Sequence, residues 1–227
     1  RHLHLSNGSD RWIEGIYLTG ALSIYYNDMV TISDSVITRN QADDGINIKN
    51  GSVVIEDSRF IDNTFDQMDL DYTQGTVKNS AFINSTPGDN NNQDGLDISG
   101  SKILLANSQF FGLRDKGVSI GEETAIILHS NRIEENNTGV AVKDLSRAYF
   151  LANEFIGNDT DINLYQKKSI FGGGHGYVIN QEAGGTGIIF STDRKSSIQN
   201  RRIEDAQLKL LMESESVGID DLFLRLE

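Results

Sequence analysis

Cysteine is absent from this 227-residue chain, and proline occurs once. Without a thiol there is no disulfide, no thiolate metal site and no cysteine nucleophile, and nothing about the redox compartment follows. No apolar run approaches the length that spans a bilayer, so no membrane span is expected. Basic residues are the minority: 20 Lys and Arg stand against 33 Asp and Glu, a formal net charge of −13. That balance argues against phosphate neutralisation and so against nucleic acid as a partner. It favours calcium, cationic ligands or plain solubility. Gly172-Gly173-Gly174 is followed by no lysine-serine or lysine-threonine pair, so it is not a phosphate loop. Ser/His/Asp catalysis has no local signature either.

What is present is a repeat. A strand-like phrase returns at Leu22-Ser23-Ile24, Ile46-Asn47-Ile48, Leu70-Asp71-Tyr72, Leu96-Asp97-Ile98, Val118-Ser119-Ile120, Val140-Ala141-Val142 and Ile162-Asn163-Leu164, in steps of 24, 24, 26, 22, 22 and 22 residues. A second phrase, out of phase with it, runs through Ile32–Ser35, Ile55–Ser58, Val77–Ser80, Leu105–Ser108, Leu128–Asn131 and Phe150–Asn153. An apolar residue or pair follows each, as in Phe60-Ile61 and Phe82-Ile83, and many copies close on Asn: Asn40, Asn63, Asn136, Asn158. Apolar/polar alternation marks strands with one buried face, and Asn, Asp, Ser and Gly between them are turn formers.

Strands this short cannot bury a core alone, but stacked coil on coil they can. The expected fold is all-β: a right-handed parallel β-helix solenoid of about six to seven coils of ~22 residues, with equivalent strands about 4.8 Å apart. Ile46, Leu70, Leu96, Val118, Val140 and Ile162 are expected to form a continuous inward stack. Asn79 is expected over Asn107, and Ser58 over Ser80 and Ser108, as ladders satisfying buried turn polars. Helical repeats are excluded by the β-branched, period-two character. Leucine-rich repeats are excluded by the missing Leu and Asn spacing.

Along the chain, Trp12–Leu18 is a candidate strand of an earlier coil, and coils run from about Leu22 to Tyr165. Pro87–Asn92 reads as a loop bulging from one corner. A Gly-rich corner, Phe171–Gly176, precedes strands near Tyr177–Asn180 and Gly187–Ser191. Arg202–Met212 has helical spacing, with Ile203, Ala206 and Leu210 on one stripe. The expected division is a β-helix over residues 1–200 and a C-terminal helical cap or linker over 201–227, since an open solenoid edge needs cover. The chain opens on Arg1-His2-Leu3, so any signal peptide is expected outside it.

The middle residue of the first phrase points outward. Ser23, Asn47, Asp71, Asp97, Ser119, Ala141 and Asn163 should therefore form one column. A column holding Gly45, Asp69, Gly95, Gly117, Gly139 and Asp161 lies beside it. The patch thus gathers Asp69, Asp71, Asp94 and Asp97, with Lys116 and Lys143 on later coils. Asp71 and Asp97, one strand spacing apart, would raise each other's pKa or call for a cation. Carboxylates at that range suit a glycosidase, with Lys116 as base or as partner for a sugar carboxylate. The expected catalytic set is Asp71, Asp97 and Lys116. Asn47, Asp69, Asp94 and Lys143 would bind substrate, and Asp69, Asp71, Asp94 and Asp97 would offer oxygens to Ca²⁺. A solvated polar strand face is the alternative. Tyr25, Tyr72 and Tyr165 near one strand edge could stack on sugars, or Tyr72 could be core.

From Leu22 to Tyr165 the residues resemble the right-handed β-helix family, the group that contains pectate lyase-like and other carbohydrate-active solenoids. Asp94–Ser99, Asp115–Glu122 and Gly139–Ser146 also resemble β-helix regions of bacterial CotH-type surface or exported proteins. The resemblance implies a module that binds or processes an extracellular polysaccharide or oligosaccharide, secreted or on a bacterial cell surface. Neighbouring domains of a longer chain are implied with it. If it is an enzyme, a polysaccharide lyase or glycoside hydrolase is implied. Segments that mark polygalacturonases and alginate epimerases are missing. A non-catalytic scaffold within a larger surface protein is the alternative, and a trimeric fibre is a third.

Overall fold

The computed structural model describes residues 1–85, 92–180, 188–204 and 219–226. Its strands wind into a parallel solenoid of about seven turns. Each coil has three faces. The first two belong to one 13-stranded sheet, and the third is a 7-stranded sheet. In early coils a single long strand, such as Gly20–Ser33, Asp44–Glu56 or Asp66–Lys78, covers both the first and second faces. Later coils break it in two, as in Lys116–Gly121 and Ala125–His129. The third face holds three-residue strands such as Arg59–Ile61, Ala81–Ile83 and Gln109–Phe111.

The core is the interior of this prism. On the first face Ile46, Met68, Leu96, Val118, Val140 and Ile162 stack in register, and Ile48, Leu70, Ile98, Ile120, Val142 and Leu164 stack beside them, all fully or almost fully buried. From the third face Phe60, Phe82 and Phe110 stack at centroid spacings of 4.9 and 4.8 Å with nearly parallel rings. Those spacings are the strand spacing itself: identical side chains on successive coils are carried into contact by the backbone repeat. Burying each such side chain contributes about 1.5–3 kcal/mol.

Left-handed residues make the corners. Asp34, Asp57, Asn79, Asn107, Ser130, Ala152 and Asn180 occur once per coil with φ between 46° and 52°. Asn and Asp tolerate this region best after Gly, which explains the breakers between strands. Asn79 and Asn107 are therefore exposed corner residues and do not form the expected ladder. The expected ladder of Ser58, Ser80 and Ser108 does form, one residue later. Ser35, Ser58 and Ser80 backbone N–H groups each donate to the serine hydroxyl of the next coil at 3.2 Å, and Ser108 donates to Asn131 Oδ1 at 3.0 Å. Asn131 Nδ2 donates to Asn153 Oδ1 (2.9 Å), and at a second corner Asn136 Nδ2 donates to Asn158 Oδ1 (3.0 Å).

Both termini depart from expectation. Trp12–Leu18 is not one strand of a coil. It is an antiparallel hairpin, Arg11–Ile13 with Ile16–Leu18, closed by Glu14 (φ 50°) and Gly15 (φ 83°). Two positive-φ residues between the strands make the tight turn that suits hairpin twist. The expected loop Pro87–Asn92 lies outside the described residues except for Asn92, and so does Gly187. The described strands at that end are His175–Ile179, Phe190–Thr192 and Ser197–Arg201. Of the expected helix Arg202–Met212, residues 205–212 lie outside the described ones, and 202–204 are not helical.

The helix that is described, α1, spans Ile219–Leu226. Its Leu222, Phe223 and Leu226 are buried against Ala125, Ile127, Tyr149, Leu151 and Ile179 on the outside of the second face. Tyr149 meets the Phe223 ring edge-on at 5.9 Å, and Arg201 Nη1 donates to the Leu226 carbonyl at 2.7 Å. Eight residues do not hold a helix in water on their own, so this docking supplies its stability. Among the described residues no helix is long and apolar enough to cross a membrane.

Candidate functional site: an acidic pile on the first face

Three outward columns run up the first face. The corner column holds Asp44 and Asp66 as ladder partners, then Asp94, whose N–H donates to Asp66 Oδ1 at 2.7 Å, then Lys116, whose N–H donates to Asp94 Oδ1 at 3.0 Å. The middle column is Ser23, Asn47, Asp69, Asp97, Ser119, Ala141 and Asn163. The far column is Tyr25, Lys49, Asp71, Ser99 and Gly121.

This register corrects the expected one. The residue beside Asp97 is Asp69, and Asp71 lies two positions along, between Lys49 and Ser99. Met68 pairs with Ile46 at a step of 22 residues and with Leu96 at a step of 28, in place of steps of 24 and 26 through Leu70. A slip of two residues leaves every side chain on its own face, so alternation cannot detect it. The supposed outward column through Gly45 and Gly95 also points the other way. A Cβ on Gly95 would approach the Phe110 ring to 2.9 Å, inside the prism.

The structure therefore brings Asp94 and Asp97 together with Asp66, one carboxylate oxygen of each lying within 4.8 Å of the others. Asp66 was not anticipated. Its signal was the phrase Asp44-Gly45-Ile46-Asn47, Asp66-Gln67-Met68-Asp69, Asp94-Gly95-Leu96-Asp97, which aligns only at the true register. Asp71 is held apart from this group by Lys49 at 2.7 Å. Asn47 is fully buried, and its Nδ2 donates to Asp69 Oδ2 at 2.7 Å. Lys116 bridges Asp94 (3.3 Å) and Asp115. Lys143 is buried and donates to Ser119 Oγ at 2.7 Å.

Burial and crowding act together on these acids. Burial first, then the Asp43 charge against an opposing Thr19 hydroxyl, pushes Asp44 up to about 7. Burial, opposed by Lys116 and reinforced by Asp97, pushes Asp94 up to about 6. Asp66 is raised by burial and then by Asp94 and Asp97, and Asp69 by burial and then by Asp44, Asp71 and Asp97. Burial also lowers the Lys143 pKa, although Asp97 works against it. For Lys116 the neighbouring Asp94 and Asp115 outweigh burial and raise the pKa. The buried Asn47 Oδ1 has no hydrogen-bond partner, whereas Asp44 has the Thr19 hydroxyl beside it. Such an oxygen is costly to leave unpaired.

The family question is decided by a direct comparison: a family model described as "Right handed beta helix region" matches residues 15–181. The chain belongs to the right-handed β-helix family. A comparison with curated proteins finds no match, and neither does one with solved structures.

On this β-helix, the acidic pile fits a hard cation. Calcium takes six to eight oxygens at about 2.3–2.6 Å, so its ligands can stand up to roughly 5 Å from one another, and Asp66, Asp94 and Asp97 meet that spacing. The N-terminal hairpin stands at the head of the pile. It runs directly into Thr19, whose carbonyl accepts the Asp44 N–H at 3.1 Å. Its Trp12 and Tyr17 rings stack at 5.2 Å, and Trp12 is 66% exposed. Tyr17 hydrogen-bonds Asp10 and feels Asp10, Asp43 and Asp44, which together push its pKa to about 12.

Proposed function

We propose that this β-helix is a module that binds or processes an extracellular polysaccharide along its acidic first face, with Ca²⁺ held by Asp66, Asp94 and Asp97. The observation that carries the reading is the pile of half-buried and buried carboxylates, one above another on successive coils, beside the buried Asn47 Oδ1 without a partner. Such a pile stabilises nothing by itself, and a cation or hydroxyl-rich ligand would satisfy it. When bound, Ca²⁺ would neutralise the carboxylates and offer open positions to sugar oxygens. Asp69 and Asp97 would face the chain, Lys116 would hold charge near Asp94, and Lys143, a buried amine with lowered pKa, is the candidate base. The setting that goes with this reading is secreted or on a bacterial cell surface, next to further domains of a longer chain.

A non-catalytic scaffold is the second reading. It is favoured by internal pairings that already occupy much of the face: Asn47 with Asp69, Lys49 with Asp71, Lys143 with Ser119. One experiment separates the two. The chain is screened on a glycan array with Ca²⁺ and with chelator, alongside Asp69→Asn and Asp97→Asn. Calcium-dependent glycan binding that both substitutions abolish, in variants with unchanged circular dichroism, supports the module. No glycan bound, or binding indifferent to both substitutions, leaves the scaffold.

A further inference from the structure

A second feature lies around the corner from the acidic face and is independent of it. Between the first and second faces six coils turn at Tyr26, Asn50, Tyr72, Gly100, Glu122 and Asp144, with φ between 52° and 59°, the last two followed by a second left-handed residue, Glu123 and Leu145. Asn, Asp and Gly suit this position. A bulky aromatic there is a steric outlier and works against the fold. Two of the six are nevertheless tyrosines, and both are exposed, Tyr26 by 82% and Tyr72 by 58%. Neither ring is explained by burial.

Tyr72 is also fixed in place. Its ring lies over Gly100 on the next coil, so closely that a Cβ on Gly100 would come within 2.6 Å of Cδ1. The ring forms one wall of an open groove of about 620 Å³ whose lining includes Asp28, Gln74, Lys102, Glu123 and Arg147. Both charge signs and a carboxamide are represented, so the groove selects no ionic ligand. An apolar ring face among hydrogen-bonding groups of both kinds suits a molecule with an apolar face and a hydroxyl rim. Tyr26 stands two coils from Tyr72, about 9.6 Å by strand spacing. In an extended sugar chain every second residue presents the same face, so two such rings can address alternate sugars of one chain.

We propose that the Tyr26–Tyr72 corner and its groove form a binding site for an extended neutral oligosaccharide running parallel to the solenoid axis. The strained backbone at Tyr72 is kept for that contact.

The test uses the whole chain and isothermal titration with cellohexaose, xylohexaose and mannohexaose. Binding of at least one is expected. Tyr72→Ala should weaken it about tenfold or more, Tyr72→Phe should keep it, and chelator should leave it unchanged, which separates this site from the calcium-bearing acidic face. Tyr72→Asn should lose binding yet raise Tm by about 2–4 °C, because Asn accepts the left-handed corner. The proposal is overturned if none of the three sugars binds, or if Tyr72→Ala binds as well as the parent. A lower Tm in Tyr72→Asn also overturns it, since the ring would then be packing on Gly100 for stability.

Discussion

The acidic pile makes the stability of this β-helix depend on pH in an unusual direction. Asp44 moves from an ordinary 3.8 to about 7 in the fold, chiefly through burial. The folded state therefore holds that proton more tightly than the unfolded chain. Its contribution is fully present below about pH 4 and is lost as pH rises through about 7. At 1.36 kcal/mol per unit the loss from Asp44 alone is about 4 kcal/mol, or roughly 8–16 °C in Tm for a chain of this size. Asp94, raised to about 6, acts in the same direction, as do Asp66 and Asp69. Thermal melts followed by circular dichroism between pH 5 and 8, with chelator present, should show Tm falling across the window. Asp44→Asn removes the buried charge and should flatten the curve while raising Tm at pH 8. Calcium should add about 2.7 kcal/mol of stability at pH 8 at a hundredfold excess over Kd, and less at pH 5, where Asp94 is protonated. A flat or climbing chelator profile, or equal calcium effects at both pH values, would refute the reasoning.

Three further outcomes follow from packing. Phe82→Ala opens a cavity in the middle of the Phe60–Phe82–Phe110 stack and should cost about 3–5 kcal/mol in a denaturant titration. Asn136→Ala should cost about 1–3 kcal/mol, because it orphans the Leu113 N–H and breaks the bond to Asn158; a melt within a degree of the parent would contradict that. Leu222→Asp should free α1 and expose Ile127, Tyr149 and Leu151, read as new binding of a hydrophobic dye while far-ultraviolet dichroism keeps its β signature.

The solenoid was legible because its physics is local and repeated. Alternation marks one buried face, turn formers mark the corners, and the period joins them. Register was less legible. Nothing in an apolar/polar pattern separates Leu70 from Met68 as the partner of Ile46, since both face inward. The site inherited that slip, so Asp71 was placed where Asp69 stands, and Asp66 was missed. The pairing of Asn47 with Asp69 and of Lys49 with Asp71 depends on side-chain reach across coils, which a linear pattern does not contain. The hairpin at Trp12 was hidden for another reason: Glu14-Gly15 interrupts an apolar run too briefly to read as a turn without its backbone angles. The docked helix leaves a signal in the strands it covers. Ala125–Leu128 and Ala148–Leu151 lack alternation, as strands covered on both faces do.

That loss of alternation begins at a definite height. The outward residues Thr31, Val54 and Thr76 give way to Leu104, Ile127, Tyr149 and Tyr177 on the same line. The berth for α1 is thus assembled from coils made earlier in synthesis than the helix that occupies it. Because eight residues have no helical stability of their own, the tail can settle only after those turns are wound, which makes its arrival a late event in folding and a natural reporter that the upper half of the prism is complete.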